Sequence, residues 1–288
     1  SDLERRPRQG VGPGPLPVRP QLQRRAASVA EPHLAGGARG IGADPVMRAV
    51  EVAALARHHP ARADADVPAL ALLEAVVAAR TGSSGRESDI SLFIVDLKAA
   101  GVEVKSLTNI DLTRGQAEIT FRNAKAEPLG AAGEGWSVIT QVLDRAAVLT
   151  AFEQVGGADR ALEMGRDYAL DRIAFGRPIG SFQAVKHMLA DMYVSATLAR
   201  SNCYYGAWAL STNAGELPEA AAAARISATQ AFQHCAKNNI QVHGGMGFTW
   251  EFDCHMYYRR ANAVALGLGS LSYWEDALID RMRKKNAA

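Results

Sequence analysis

Two short stretches hold the side chains best suited to chemistry. Arg172 through Gln183 (RIAFGRPIGSFQ) gathers a fork-shaped cation, an aromatic ring, a glycine turn and an amide within one break between helical patterns. A guanidinium can grip a diphosphate with two parallel hydrogen bonds, and a following helix N-terminus favours an anion. The plainer alternative is an interhelical turn punctuated by Gly176 and Pro178, with Arg172 on a surface carboxylate. Gln241 through Phe248 (QVHGGMGF) places two adjacent glycines after a helical run. Without side chains there, backbone can approach a ligand closely. A helix C-cap with a tight reversal would look the same. An oxyanion loop of a hydrolase is excluded, because the chain has no GxSxG elbow.

The elements around these stretches follow from hydrophobic period. Ser91–Leu97 reads as a buried strand, Val102–Ser106 as a second, and Ala117–Phe121 alternates as a third, with a turn at Thr113–Gln116. These strands are too few to make a stable sheet, so partners must come from elsewhere. A Gly/Ala-rich exit loop covers Gly130–Gly135. Beyond Trp136 the pattern turns helical. One helix is expected from about Ser137 to Ala169, and a second from Ser181 with Val185, Met188, Leu189 and Met192 on one face. A third opens near Pro218 and runs to Val242, where Gly244–Gly247 breaks it. Shorter helices follow over Asp253–Ala263 and Tyr273–Lys285. Long helices with short connections make an antiparallel bundle.

The opening is different in kind. Residues 1–86 have no Phe, Tyr, Trp or Lys, yet carry 12 Arg and 9 of the 12 prolines. Arg5–Pro20 has almost nothing to bury, and disorder is the expected state. Pro45–Thr81 is Ala/Val/Leu-rich and predicts one or two helices interrupted by Pro60 and Pro68. A sharper expectation is that residues 1–87 are GC-rich coding sequence read out of frame, since the texture changes abruptly near Ser88. The first residue is Ser1, consistent with processing or a fragment. A net charge of +2 and no lysine block give no footprint for nucleic acid. Three scattered cysteines without a CxxC pair suggest no zinc or redox site, and suit a reducing, cytoplasmic compartment. No apolar run reaches membrane-spanning length.

Taken in order, the Gly135-Trp136 region, the RxxFGxxI-xxFQ segment and the QxxGGxGF segment resemble the acyl-CoA dehydrogenase family over residues 88–288. The continuation Thr249–Arg260 is similar to a bacterial branch acting on fatty acyl, steroid side-chain or related CoA thioesters. The resemblance implies a mainly α fold with a partial β-sheet. Residues 88–136 would be the remnant of a β middle domain, and 137–288 a C-terminal antiparallel four-helix bundle. It also implies FAD held between subunits, with Arg172, Phe175, Gln183, Gln241, Gly244 and Gly245 on the diphosphate or adenosine part bound mainly by a neighbour. Implied partners are a second acyl-CoA dehydrogenase subunit in a homo- or hetero-oligomer, an acyl-CoA substrate and an electron-transfer flavoprotein.

The catalytic base of the family departs from the pattern. Proton removal alpha to the thioester needs a positioned carboxylate. Where most members keep it, in the stretch matching Leu266–Ser270, this chain has Leu268. Where a minority keep it, in the run matching Leu143–Ala147, it has Ala146. Asp144, Glu153 and Glu275 are nearby carboxylates. Glu153 lies two helical turns beyond Ala146, about 10 Å away, a displacement that would spoil alignment with the reacting carbon. An ion pair is its simpler role. Glu251 and His255, four apart, are expected to be structural rather than metal ligands. The first 87 residues do not resemble the family's all-helical N-terminal domain, so the segments that hold the isoalloxazine and line the acyl pocket are not recognisable. Three readings follow: a base-less partner subunit, a truncated or frame-damaged product, and an active homo-oligomer with a displaced base.

Overall fold

The computed structural model describes residues 74–287; expectations for residues 1–73 lie outside the described residues. The first described element corrects an expectation. Glu74–Arg80 is a strand, β1, not the end of a helix. It pairs antiparallel with β2 (Ile90–Asp96), from Glu74 opposite Asp96 to Arg80 opposite Ile90. The reason is alternation: Ala75 and Val77 point into a core while Glu74 and Val76 face out. Alanine and valine in sequence had concealed a period of two. The expected atypical segment therefore ends in folded sheet, and β1 is the partner that the following strands lacked.

Strands β3 (Val102–Leu107) and β4 (Gln116–Phe121) form an antiparallel pair, and β5 (Glu127–Leu129), unforeseen, adds to the outer edge of β2. The two small sheets share one core of Ala75, Val77, Val95, Leu97 and Phe121. This core meets the helices at Gly135, where an added Cβ would lie 2.8 Å from the Ile90 carbonyl oxygen. Glycine is required there because helix and strand touch through backbone.

The helices are α1 (Gly135–Asp171), α2 (Gln183–Ser211), α3 (Leu217–His243), α4 (Cys254–Leu266) and α5 (Leu271–Ala287). Pro218 occupies the first turn of α3, as its fixed φ and missing N–H allow. Core layers run along α1 and α3 in the same sense and along α2 in the opposite one. Val148 packs near Ala209 and Ala221, and Ala158 near Met192 and Phe232. Alanines dominate these layers, so the helices approach closely; Gly157 leaves room for the Phe232 ring. Trp274 of α5 enters the core at one end, and Ala261 of α4 at the other. Cys203, Cys235 and Cys254 are free thiols inside the bundle. Burial pushes the first two up to about 12, which leaves them inert.

Candidate functional site

The double-glycine segment lies where α3 ends. His243 closes the helix, its Nδ1–H donating to the Asn239 carbonyl at 2.8 Å. Its ring stacks on Tyr168 of α1 at 4.1 Å between centroids and meets Phe252 edge-on. Burial among these rings pushes the imidazole below its ordinary value, partly offset by the Asn239 bond. Residues 244–248 form a short 3₁₀ turn. Gly244 has φ 59°, so a non-glycine residue would be strained. Gly247 is pinned by contact, since a Cβ there would sit 2.7 Å from the Ile240 carbonyl oxygen.

Gly245 is different. Its φ is not in the left-handed range, and nothing among the described residues, its chain neighbours aside, lies within 4 Å of where its Cβ would be. No contact among the described residues accounts for glycine there. The open space belongs to a depression of about 400 Å³ lined by Lys237, Ile240, Gln241, Gly244, Gly245, Phe248 and Tyr258. Gln241, Gly244 and Gly245, three of the expected site residues, are thus brought to one surface.

The other three stand outside that depression, on the connection from α1 to α2. Arg172 caps α1, with its N–H on the Tyr168 carbonyl at 2.9 Å. The chain then makes a hairpin of β6 (Ile173–Ala174) and β7 (Arg177–Pro178) around Phe175 and Gly176. Both loop residues have positive φ, 52° and 77°. A two-residue hairpin turn demands this, and glycine or asparagine supplies it without strain. Phenylalanine at such a position is costly, and here its ring is 95% exposed, so little packing within the subunit compensates. Phe182, just before α2, meets Phe175 edge-on and lies under the Arg177 guanidinium at 4.1 Å. Gln183 begins α2, whose N-terminus has no side-chain cap. Tyr168 connects the two segments, since one turn of α1 carries both the ring stacked on His243 and the carbonyl that holds Arg172.

These features fit a dinucleotide. Among the described residues, open backbone beside Gly245, a helix start without a side-chain cap, and the Arg172 and Gln183 side chains outside any ion pair offer donors to phosphate.

The positions matching the family's base lie elsewhere. Leu268 sits in the loop between α4 and α5 with φ 60°. That loop is gripped from within. Arg225, 1% exposed on α3, donates through Nη2 to the carbonyls of Val264 at 2.6 Å and Gly267 at 2.5 Å, and through Nη1 to Gln154 Oε1 at 2.5 Å. Trp274 Nε1 donates to the Leu268 carbonyl at 2.9 Å. Ala146 is a half-buried residue of α1. Glu153 takes the simpler of its two expected roles. Arg260 binds it, as does Arg114 at 3.3 Å, while Arg260 also reaches buried Asp111 at 2.7 Å. This cluster ties the β3–β4 connection to the bundle. Asp144 pairs with Arg281 of α5 at 2.7 Å, and Glu275 is exposed on α5. His255 is buried edge-on to Trp250, a packing role.

Sequence reasoning missed Lys237, Phe248 and Tyr258. Helical spacing could have found Lys237, one turn before Gln241. Phe248 ends the segment already singled out. Tyr258 had no local signal, because only the packing of α4 against α3 brings it to the depression.

The family model described as "Acyl-CoA dehydrogenase, C-terminal domain" matches residues 133–281. The chain is 44% identical over 124 residues to acyl-CoA dehydrogenase IpdE2 of Mycobacterium tuberculosis, covering 43% of this chain and 37% of that protein. It is 37% identical over 188 residues to acyl-CoA dehydrogenase FadE34 of the same organism, covering 65% and 26%. Among solved structures, the Tcur3481-Tcur3483 steroid ACAD superimposes with a TM-score of 0.66 at 27% identity, covering 75% of this chain and 56% of that one. The chain therefore spans only about a quarter to two fifths of those curated relatives' length.

Proposed function

Because this chain belongs to the acyl-CoA dehydrogenase family, we propose that it is a base-less partner subunit that completes the FAD site of a base-bearing homologue. The reaction of the assembly is FAD-dependent alpha,beta-dehydrogenation of an acyl-CoA thioester in lipid or steroid side-chain breakdown, with electrons leaving to an electron-transfer flavoprotein. The substrate class follows the relatives, one of which is the Tcur3481-Tcur3483 steroid ACAD.

The reading rests on how the parts are divided. Both dinucleotide-type segments are built and open, whereas Leu268 and Ala146 stand where the family resemblance would place a carboxylate. FAD, when bound, supplies the two-electron acceptor. The residues of this chain bind and orient. Arg172 and Gln183 hold phosphate oxygens, Phe175 presents its ring to the partner's bound dinucleotide, and Gln241 with the Gly244–Gly245 backbone borders the adenosine side. None of these groups moves a proton. Glu153 is a poor substitute base, since two arginines hold it as a carboxylate in an ion pair.

Co-expression with a base-bearing homologue, followed by a flavin count per chain, tests this. Purified alone, the chain should carry little flavin; co-purified, the complex should be yellow and bleach when an acyl-CoA is added. A chain that is yellow by itself and bleaches with acyl-CoA would overturn the partner reading.

A further inference from the structure

Three aromatic rings meet where α1 ends. Tyr168 lies flat on His243, and Phe252 stands edge-on to both, its centroid 5.7 Å from that of Tyr168 and 5.4 Å from that of His243. His243 is the last residue of α3, just before the glycine turn at 244–248, and Phe252 follows that turn before α4 begins at Cys254. One ring on α1 therefore holds both ends of the turn, and each such pair adds to what burial of the rings contributes. The same place on α1 holds the other segment through backbone. The Tyr168 carbonyl accepts from the Arg172 N–H, and the Arg172 carbonyl accepts from the Ile179 N–H at 2.8 Å. Gly180 sits so close that a Cβ there would lie 2.9 Å from the Ala169 carbonyl oxygen. Two segments far apart in sequence are moored at residues 168 and 169.

We propose that Tyr168 is a positioning residue: its ring and carbonyl make the Arg172–Gln183 connection and the glycine turn one mechanical unit. A ligand that engages one segment then finds the other in place, which removes an ordering cost from binding. This use of the coupling rests on the partner-subunit reading above, in which both segments serve one neighbouring dinucleotide. The coupling itself belongs to the chain and is measurable with no ligand present.

Hydrogen exchange on the full chain without flavin tests it. The reporters are the hydrogen-bonded amides of Arg172, Ile179 and Phe182 on one side and of Gly244 and Thr249 on the other. Tyr168→Leu keeps apolar bulk without a flat ring, and should speed exchange about tenfold at both sets together. Core amides near Val148 and Ala221 should not change. Tyr168→Phe, which keeps the ring, should show wild-type rates. Phe252→Leu alters the glycine side alone, yet should speed exchange at Arg172 and Ile179 as well. It should add little in a Tyr168→Leu background, because coupled sites are not additive. A rise confined to residues 244–252 in Phe252→Leu, or additive effects in the double variant, would overturn the coupling. So would a uniform rise that includes the core amides, since Tyr168 would then serve stability alone. Should Tyr168→Leu fail to fold, Phe252→Leu decides the matter by itself. In the co-purified complex, flavin per chain should fall about tenfold for Tyr168→Leu. Coupled exchange with no flavin in the wild-type complex would sink the partner reading and leave the coupling standing. Full flavin retention in Tyr168→Leu would overturn the positioning role and leave the partner reading intact.

Discussion

The α3 terminus and the α4–α5 loop both match stretches that the family resemblance singles out, one for cofactor contact and one for the base, and this chain builds them in opposite ways. At the α4–α5 loop the backbone carbonyls of Val264, Gly267 and Leu268 are each taken by a side chain from the bundle, Arg225 or Trp274. The loop is satisfied from inside. At the α3 terminus, nothing among the described residues fills the space beside Gly245, and Phe175, on the α1–α2 connection, combines a left-handed backbone with a ring 95% exposed. Among the described residues nothing accounts for either feature. The lesson is a way to tell a residual scaffold from a live binding surface: ask whether each unusual residue already has its reason within the chain.

The contrast breaks hardest at Arg225. Arg225→Met should cost about 3 kcal/mol by leaving buried carbonyls and Gln154 without their donor. Urea denaturation would measure it, and hydrogen exchange should rise first near residues 264–268. Gly245→Val should do the reverse. Its side chain meets nothing in the subunit, so the denaturation midpoint should barely move, while flavin retention in the co-purified complex should fall at least tenfold by absorbance, on the order of 1.4 kcal/mol or more. A large loss of stability instead would mean that the open space is needed by the chain itself.

Phe175→Gly sharpens the same contrast at smaller scale. Removing a left-handed non-glycine residue with an exposed side chain should stabilise the chain by about 1 kcal/mol while weakening flavin capture. A stability loss would show that the ring packs internally. The smallest effect is on pH. His243 is held below the ordinary imidazole value by burial. The unfolded chain therefore binds its proton first, so the contribution is complete above about pH 6.5 and is lost as pH falls below that. Melting curves between pH 7.5 and 5.5 should show this loss in wild type and less of it in His243→Gln.

Much of the fold was legible. Helix starts and stops at Pro218 and Gly244 come from rigid local chemistry, a ring that fixes φ and a residue without Cβ, which tertiary contacts rarely override. Strand β1 was not legible, because alanine suits helix and strand alike, and only pairing with Ile90–Asp96 chose between them. At the site, the Arg172–Gln183 and Gln241–Gly245 segments announced themselves by unusual residue types. The hairpin at Phe175 did not, since phenylalanine argues against a left-handed turn.

Sequence by itself therefore determined the helical bundle, the two candidate binding segments and the apolar residues Ala146 and Leu268 at the two positions that the resemblance gives to a base, all properties written in local period or residue identity. Tertiary structure alone decided that β1 completes a sheet, that Glu153 is spoken for by Arg260, and that Lys237, Gln241 and Tyr258 share one depression. Each of these depends on which distant element arrives alongside, and chain-wide packing, not neighbouring residues, sets that.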